Sequence, residues 1–268
     1  MNRIDERFEM LRRTQTPAFI PYITAGDPTL ARTKDIVLAL EAAGADVVEL
    51  GVPFSDPIGD GRVNQEAAQR ALLNDVSLEA IFNMVRSLRK RSDIPLVLFT
   101  YYNPVLVYGI ERFALDAATT GVDGVLCVDL PPEEATDYKR ALDNAGLRSI
   151  FLLAPTSSEA RIEKIAAVSS GFIYYVSRLG VTGEQADLAT DLHATLDRIH
   201  EHTDKPVCVG FGISTPEQAR EVGGYADGVI VGSAIVRMIG ALGDSPETAE
   251  KVGAFVRTLV DAAKSSRA

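Results

Sequence analysis

Two carboxylates within residues 45–73 are the first candidates for chemistry. Glu49 follows Val47 and Val48 in a short apolar run, and Asp60 lies between two glycines in the loop that comes next. Taking an ionised carboxylate out of water costs several kcal/mol unless its pKa rises. A glutamate in an apolar strand therefore predicts a role in proton transfer.

Alternation along the strand places Glu49 on the same face as Val47. If that face is the interior, apolar surroundings raise the pKa of Glu49 toward the range useful for a general acid or base. The alternative is a glutamate in an ion pair with a nearby Arg or Lys. We expect Asp60 on a flexible loop that closes on a substrate, with a solvated turn aspartate as the alternative.

Three glycine-containing turns predict a phosphate site. They are GVTG at residues 180–183, GFGIS at 210–214 and VGSAIV at 231–236. Gly212 and Gly232 let backbone N–H groups approach an anion, and Ser233 begins a predicted short helix whose N-terminus favours negative charge. For any single turn the alternative is simple tight turning.

Aromatic residues at predicted strand ends are candidates for a slot that holds a flat ring. Tyr174 shares a strand face with Phe172, whereas Tyr175 points the other way. Tyr22, Tyr101 and Phe211 also fall near strand ends. Core packing is an equal alternative for each of them taken singly.

Predicted strands and helices alternate along the chain, and these elements position the candidate residues. Eight short runs rich in Val, Ile and Leu predict strands at residues 18–24, 47–51, 96–100, 124–128, 149–153, 172–176, 207–210 and 228–231. Helical spacing predicts an extra helix at residues 2–14, helices between the strands, a short helix from Ser233 and a last helix at 246–264. Residues 101–104, YYNP, are predicted to form a turn.

Continuous apolar strands separated by helices are typical of a parallel sheet covered on both faces. Eight such units close most economically as an α/β fold, a (β/α)₈ TIM barrel, with residues 1–268 as a single domain. A doubly wound open sheet is the alternative, but no GxGxxG follows the first strand. In a barrel the candidate residues converge at the C-terminal ends of the strands.

Composition excludes several classes of function. The 27 basic and 37 acidic side chains leave a net charge of −10, which argues against nucleic acid or an anionic membrane as the main partner. No signal-peptide or membrane-spanning pattern is present, so we expect a cytoplasmic protein. Cys127 and Cys208 are predicted to be reduced and buried, and His193, His200 and His202 to lie at the surface, with no metal site.

Seven segments occur in a fixed order from residue 21 to residue 236: PYITAGDPT, VELGVPFSDPIGDGRVNQEAAQRAL, YYNP, VDLPPEE, SRLGVTG, GFGIS and VGSAIV. Through them the sequence resembles the α chain of tryptophan synthase. The resemblance implies a lyase of tryptophan biosynthesis that cleaves indole-3-glycerol phosphate to indole and glyceraldehyde 3-phosphate. This retro-aldol reaction needs no cofactor in this chain.

The resemblance also implies roles for individual residues. Glu49 would protonate indole C3 and help to deprotonate the C3′ hydroxyl, Asp60 would contact indole N1–H, and Tyr174 matches the family's active-site tyrosine. Thr182 matches a threonine on a mobile loop that closes near Asp60. We expect Tyr22, Tyr101, Thr182 and Phe211 to bind substrate, and Gly183, Gly212, Gly232 and Ser233 to form the phosphate cup.

A partner follows from the same resemblance: a β chain that holds pyridoxal phosphate and receives indole through a tunnel in an α₂β₂ tetramer. The loops that contain Pro53, Asp56, Pro57, Asn103, Pro104 and Pro131 are expected to face it. One departure stands out, because the family's loop has a small residue followed by DGP, whereas this chain has Gly59-Asp60-Gly61-Arg62. Without proline a backbone φ is freed and a charge is added, which predicts a more mobile loop and weaker activity without the β chain.

Two other functions remain open at this stage. One is another phosphate-binding barrel, an isomerase or epimerase of sugar phosphates, which would not require the ELGVPFSDP segment. The other is a non-catalytic barrel that serves only as a partner of a β chain. Glu49, Asp60 and Thr182 argue against this second alternative.

Overall fold

Nine short strands form the central sheet in the computed structural model, which describes residues 2–177, 185–210 and 212–267, with only the backbone of residues 185–191. They are β1 (Ala18–Thr24), β2 (Val48–Gly51), β3 (Leu96–Thr100), β4 (Gly124–Cys127), β5 (Arg148–Ile150), β6 (Leu152–Leu153), β7 (Ile173–Val176), β8 (Val207–Gly210) and β9 (Gly228–Val231). The fifth predicted strand is divided at Phe151 into β5 and β6. The other seven match their predicted positions to within one residue at each end.

The sheet closes on itself as a barrel. All neighbouring strands are parallel, and their order is β5-β4-β3-β2-β1-β9-β8-β7-β6. Because β5 and β6 are consecutive in the chain, the two ends of this order meet and the barrel is nearly closed. The prediction of a barrel rather than an open sheet is confirmed.

Twelve α-helices lie in the described residues, and they surround the barrel or cover its ends. They are α1 (Arg3–Thr14), α2 (Leu30–Ala42), α3 (Arg62–Leu72), α4 (Leu78–Leu88), α5 (Tyr102–Tyr108), α6 (Ile110–Thr120), α7 (Thr136–Asn144), α8 (Glu159–Val168), α9 (Gln185–His200), α10 (Pro216–Tyr225), α11 (Ser233–Leu242) and α12 (Thr248–Lys264). The N-terminal helix and the helix after the last strand are both present, as predicted.

Helix α5 replaces the turn predicted for residues 101–104, so that prediction is wrong. Asn103 and Pro104, which we expected on a loop, lie in the first turn of α5. Proline is tolerated there because the first N–H groups of a helix have no partner within the helix. One of these groups, the N–H of Tyr102, instead donates a 2.7 Å hydrogen bond to Oδ1 of Asp129.

Alternation along the strands sorts their side chains into two layers. Val48 and Leu50 belong to the core between the sheet and the helices, whereas Val47 belongs to the cluster inside the barrel. In β7, Tyr174 packs against the inner cluster and Tyr175 belongs to the outer core. The predicted faces of both strands are therefore confirmed, and Glu49 lies on the inner face.

Helix α1 closes the N-terminal end of the barrel. Its residues Ile4, Phe8 and Leu11 join the inner cluster, and the rings of Phe8 and Phe172 have centroids 5.6 Å apart. A Cβ on Gly124 would lie 2.9 Å from the side chain of Ile4, so glycine lets the helix approach the strand. Each such buried apolar side chain contributes about 1.5–3 kcal/mol to stability.

Three buried or half-buried aspartates tie strands together at this same end. Each lies just before a strand, accepts a hydrogen bond from the backbone N–H of an adjacent chain segment and pairs with a cation. The sets are Asp46 with Phe19 N and Lys264, Asp123 with Leu96 N and Arg89, and Asp227 with Val207 N and His200. Only the last set depends on a side chain that titrates near neutral pH.

The two cysteines are free and buried, as predicted. The three histidines have carboxylate partners at or near the surface: His193 pairs with Asp197, His200 with Asp227, and His202 with Glu159. Among the described residues there is no group of three or more His, Cys, Asp or Glu placed to hold a metal ion. Nor does this part of the chain contain a helix long and apolar enough to cross a membrane.

Candidate active site

A cavity of about 520 Å³ opens at the C-terminal ends of the strands, the end at which barrels of this type carry their active sites. Its lining combines apolar side chains, glycines and a few polar groups. The lining residues are Tyr22, Gly59, Asp60, Gly61, Arg62, Val63, Asn64, Phe99, Val128, Leu152, Tyr174, Val176, Gly212, Gly232, Ser233 and Arg237. The structure thus brings six of the predicted site residues around one cavity: Tyr22, Asp60, Tyr174, Gly212, Gly232 and Ser233.

Glu49 lies inside the barrel beside this cavity but does not line it. Its side chain is fully buried, and its strand partners are Tyr22 in β1 and Val97 in β3. Neither carboxyl oxygen has a hydrogen-bond partner among the residues that the structure describes, which argues against the ion-pair alternative. Burial raises the pKa of Glu49 to about 8, so the carboxyl group is mostly protonated at neutral pH.

Two tyrosines near Glu49 place their hydroxyl groups over glycines at strand ends. A Cβ on Gly51 would lie 2.2 Å from the hydroxyl oxygen of Tyr22, and a Cβ on Gly210 would lie 2.5 Å from that of Tyr174. Any larger residue at either position would displace the ring. Burial, followed by the nearby carboxylates, raises the pKa of both phenols, so they stay neutral and can donate hydrogen bonds.

The loop that carries Asp60 is held by hydrogen bonds. Tyr101 donates a 3.0 Å bond to Oδ2 of Asp60 and accepts a 2.9 Å bond from the N–H of Gly59, while Gln65 donates a 2.8 Å bond to the Asp60 carbonyl. Burial raises the pKa of Asp60, and hydrogen bonds from Tyr101 and Asn64 partly oppose that rise. Tyr101, predicted to bind substrate, is buried behind the loop and does not line the cavity.

Helix α11 brings its N-terminus to the cavity, where Gly232 and Ser233 form part of the lining. Its first turn has neither a side-chain cap nor an acidic residue, so free N–H groups and the positive end of the helix dipole are available to an anion. Gly212 has a φ of 85°, in the left-handed region that favours glycine. The predicted residues Thr182, Gly183 and Phe211 lie outside the described residues.

Most of the apolar wall of the cavity was missed by the sequence reasoning, although the signal was present. Four wall residues each lie two positions after an inward-facing residue of the same predicted strand, so alternation along the sequence places them on the inner face. The pairs are Val97 and Phe99, Leu126 and Val128, Ile150 and Leu152, and Tyr174 and Val176. Arg237 and Asn64 were also missed, and no strand pattern identifies them.

Arg62 begins helix α3. Its side chain is 90% exposed, and its Nε donates a 2.7 Å hydrogen bond to Oε1 of Glu66. The charge at position 62, where the resemblance led us to expect proline, is therefore paired on the surface of the helix.

Residues expected to face a β chain differ in exposure. Asp56 and Asn103 are exposed, Pro57, Pro104 and Pro131 are half-buried, and Pro53 is buried. Large apolar side chains are exposed in the same two segments: Ile58 is 88% exposed in the loop after β2, and Leu106 and Val107 are 54% and 80% exposed on α5. Both segments follow the C-terminal ends of strands, so they lie at the cavity end of the barrel.

Comparison with known proteins agrees with this geometry. The family model of the tryptophan synthase alpha chain matches residues 8–264. A tryptophan synthase alpha chain from Geotalea uraniireducens is 51% identical over 260 residues, which are 97% of this chain and 97% of the relative.

Solved structures give the same result. The crystal structure of tryptophan synthase subunit alpha from Legionella pneumophila superposes with a TM-score of 0.90 at 39% identity, covering 99% of both chains. A structure of Mycobacterium tuberculosis tryptophan synthase has a TM-score of 0.87 at 34% identity, covering 98% of both chains. This chain therefore belongs to the tryptophan synthase alpha chain family.

Proposed function

We propose that this chain is the lyase subunit of a tryptophan synthase and cleaves indole-3-glycerol phosphate to indole and glyceraldehyde 3-phosphate. This is the reaction of its family. The observation that carries the proposal is the carboxyl group of Glu49, which is buried, lacks a described partner and has a pKa of about 8 beside the cavity. A carboxylic acid that remains protonated at neutral pH can give a proton to carbon, the first step that this reaction needs.

Two contrasting ends of the cavity orient the substrate in this proposal. The phosphate binds at the N-terminus of α11, with Gly212, Gly232 and Ser233 around it. The indole ring lies between Phe99 and Leu152 in the apolar wall, with its N1–H toward Asp60. This orientation places the carbon–carbon bond between the ring and the glycerol chain near Glu49.

In the first step the protonated carboxyl group of Glu49 transfers its proton to C3 of the indole ring. The ring becomes an indolenine with positive charge at N1, and the carboxylate of Asp60 stabilises that charge. Because Glu49 does not line the cavity, its side chain must rotate about its staggered torsions to reach C3.

In the second step the carboxylate of Glu49 accepts the proton of the C3′ hydroxyl group. The electrons of the O–H bond form the carbonyl of glyceraldehyde 3-phosphate. The electrons of the broken C3–C3′ bond return to the ring and neutralise the positive charge on its nitrogen. Glu49 ends in its protonated form, so the cycle closes without any group besides the side chains of this chain.

A β chain is the proposed partner, in an α₂β₂ tetramer in which pyridoxal phosphate belongs to the β chain alone. Exposed Ile58, Leu106 and Val107 support this proposal, because monomers seldom expose several large apolar side chains around one opening. Pro57, Asn103, Pro104, Pro131 and Asp56 lie in the neighbouring segments and would contribute to the contact, whereas buried Pro53 would shape its loop.

Indole release tests this function directly. The purified chain is assayed with indole-3-glycerol phosphate, alone and after addition of a tryptophan synthase β chain. We expect slow release by the chain alone and faster release with the β chain. An absence of turnover in both conditions would show that the proposed reaction is wrong, and turnover of a sugar phosphate instead would identify an isomerase or epimerase.

A further inference from the structure

Two arginines line the cavity among the described residues, Arg62 and Arg237, and the reaction above assigns a role to neither. Arg237 lies four residues after Ser233 on α11, about one helical turn, and both residues line the cavity. Side chains on an α-helix lean toward its N-terminus and cover the turn before their own. A side chain at position 237 is therefore expected to lean toward the turn at which the phosphate is proposed to bind, and Arg237 itself is exposed to solvent.

Arg237 differs from the other arginines nearby because it has no partner among the described residues. It shares an adjoining groove of about 320 Å³ with Arg62 and Arg70. Arg62 is paired with Glu66 at 2.7 Å, and Arg70 is paired with Asp27 at 2.7 Å. Within the described residues, Arg237 is therefore the one arginine of these three whose N–H donors are all free to bind a ligand.

The electrostatics of this arrangement favour an anion. The Arg237 guanidinium would lie near the N-terminus of α11, where the helix dipole is also positive. The first turn of α11 has no acidic residue to neutralise this positive charge. A phosphate group between them would neutralise both. A local positive charge is especially useful here because the whole chain has a net charge of −10, which repels a dianionic substrate.

We propose that Arg237 binds the phosphate group of the substrate, donating charge-assisted hydrogen bonds to oxygens that the backbone of α11 leaves open. This inference rests on the proposed function for the identity of the substrate. It adds a side chain to a cup otherwise made of backbone groups and the Ser233 hydroxyl. The guanidinium contributes to binding of the phosphate ester and takes no part in proton transfer.

Binding measurements without turnover test the proposal. The probes are glycerol 3-phosphate, which carries the phosphate, and indole, which does not, measured by calorimetry with the purified chain. Arg237→Gln should weaken binding of glycerol 3-phosphate about tenfold, or ~1.4 kcal/mol, and leave indole binding unchanged. Arg237→Lys should recover part of this loss, because the charge is kept and the forked donor geometry is not.

Arg86→Gln is the matched control. Arg86 is an exposed arginine on α4 whose Nη1 donates a 2.6 Å hydrogen bond to Asn83, and it does not line the cavity. Its loss changes the net charge equally and should leave glycerol 3-phosphate binding within twofold. Added salt should weaken binding to the wild type more than to Arg237→Gln, because one charge contact has been removed.

Equal glycerol 3-phosphate affinity of Arg237→Gln and the wild type would overturn the inference, as would an equal loss in Arg86→Gln. The two proposals fail in distinguishable ways. A chain that binds glycerol 3-phosphate through Arg237 and releases no indole would contradict only the proposed function. A chain that releases indole and binds glycerol 3-phosphate independently of Arg237 would contradict only this inference.

Discussion

The hydroxyl group of Tyr101 donates a 3.0 Å hydrogen bond to Oδ2 of Asp60, and the N–H of Gly59 donates a 2.9 Å bond back to it. Asp60 lies between β2 and α3, whereas Tyr101 lies between β3 and α5. The proposed partner of indole N1–H is thus positioned from the neighbouring βα unit. Tyr101 is also the N-cap residue of α5, the helix that exposes Leu106 and Val107.

Removing this hydroxyl group should reduce activity without unfolding the chain. We expect Tyr101→Phe to lower kcat/KM for indole release about tenfold, because a hydrogen bond to a charged group contributes about 1.5–3 kcal/mol. Tyr108→Phe is the control, since Tyr108 donates a 2.7 Å bond to Asp116 away from the cavity. The test is kcat/KM for indole release, measured by steady-state kinetics for both variants. Equal losses in Tyr101→Phe and Tyr108→Phe would contradict a positioning role for Tyr101.

Proline at position 62 should stabilise the Asp60 loop. Arg62 is the first residue of α3, a position at which the fixed φ of proline suits a helix and its missing N–H is not needed. We expect Arg62→Pro to raise the unfolding free energy by about 0.4–1 kcal/mol and to slow amide exchange in residues 53–61. Arg62→Ala, which removes the charge but does not fix φ, is the control. Unchanged exchange in Arg62→Pro would show that the loop is not mobile for the reason given.

Glu49 should lower the stability of the fold as pH rises. The unfolded chain loses the Glu49 proton near pH 4.5, but burial raises the folded pKa to about 8, so stability falls as pH rises from the first value through the second. Glu49→Gln removes this dependence. The unfolding free energy of the variant relative to that of the wild type should therefore rise by several kcal/mol between about pH 5 and about pH 8, at about 1.4 kcal/mol per pH unit.

Urea unfolding at the two pH values measures the effect. Glu111→Gln, which changes an exposed glutamate in the first turn of α6, is the control and should show no such gain. A constant difference between Glu49→Gln and the wild type at both pH values would mean that the folded pKa is not raised.

The His200–Asp227 pair should make a smaller contribution of a related kind. The hydrogen bond to Asp227 raises the pKa of His200 above 6.5, so its stabilisation is complete below that pH and is lost as pH rises through the folded value. The His200 side chain is 37% exposed, and solvent screening should limit the effect to under about 1 kcal/mol.

Unfolding of His200→Gln and the wild type at about pH 6 and about pH 9 tests this pair. The variant should be less stable at the lower pH and nearly equal at the higher. A deficit that grows with pH would contradict the sign. Asp227→Asn should be destabilised at both, because it also weakens the bond from the N–H of Val207.

The fold was largely readable from the sequence because local patterns and the barrel agree. Period-two alternation predicted that Glu49 shares a strand face with Val47, and Tyr174 with Phe172. The structure confirms both pairings and shows that these are the inner faces, because Val47, Phe172 and Tyr174 belong to or pack against the inner cluster. The division of the fifth strand at Phe151 was not foreseen, because apolar residues continue across it and only the hydrogen-bond pattern breaks. Helix α5 was missed because Pro104 indicates a turn unless a helix is known to begin just before it.

The candidate site was readable in part. Chemistry-bearing side chains at strand ends are visible in a sequence, since topology alone brings them together. Contacts between loops are not visible in a sequence, so the hydrogen bond from Tyr101 to Asp60 could not be predicted, nor could the lack of a partner for Arg237 within the described residues. Gly51 and Gly210 are visible in the sequence as glycines at strand ends. Their role becomes clear only in the structure, where the hydroxyl groups of Tyr22 and Tyr174 occupy the space that a Cβ would need.

The most direct test of the account is indole release by Glu49→Gln, with glycerol 3-phosphate binding measured on the same sample. Glutamine keeps the size of the side chain and cannot transfer the proton. We predict that release falls by a factor of about 100 or more, while binding stays within twofold of the wild type. Indole release at more than half of the wild-type rate would contradict the assignment of Glu49 as the general acid and base.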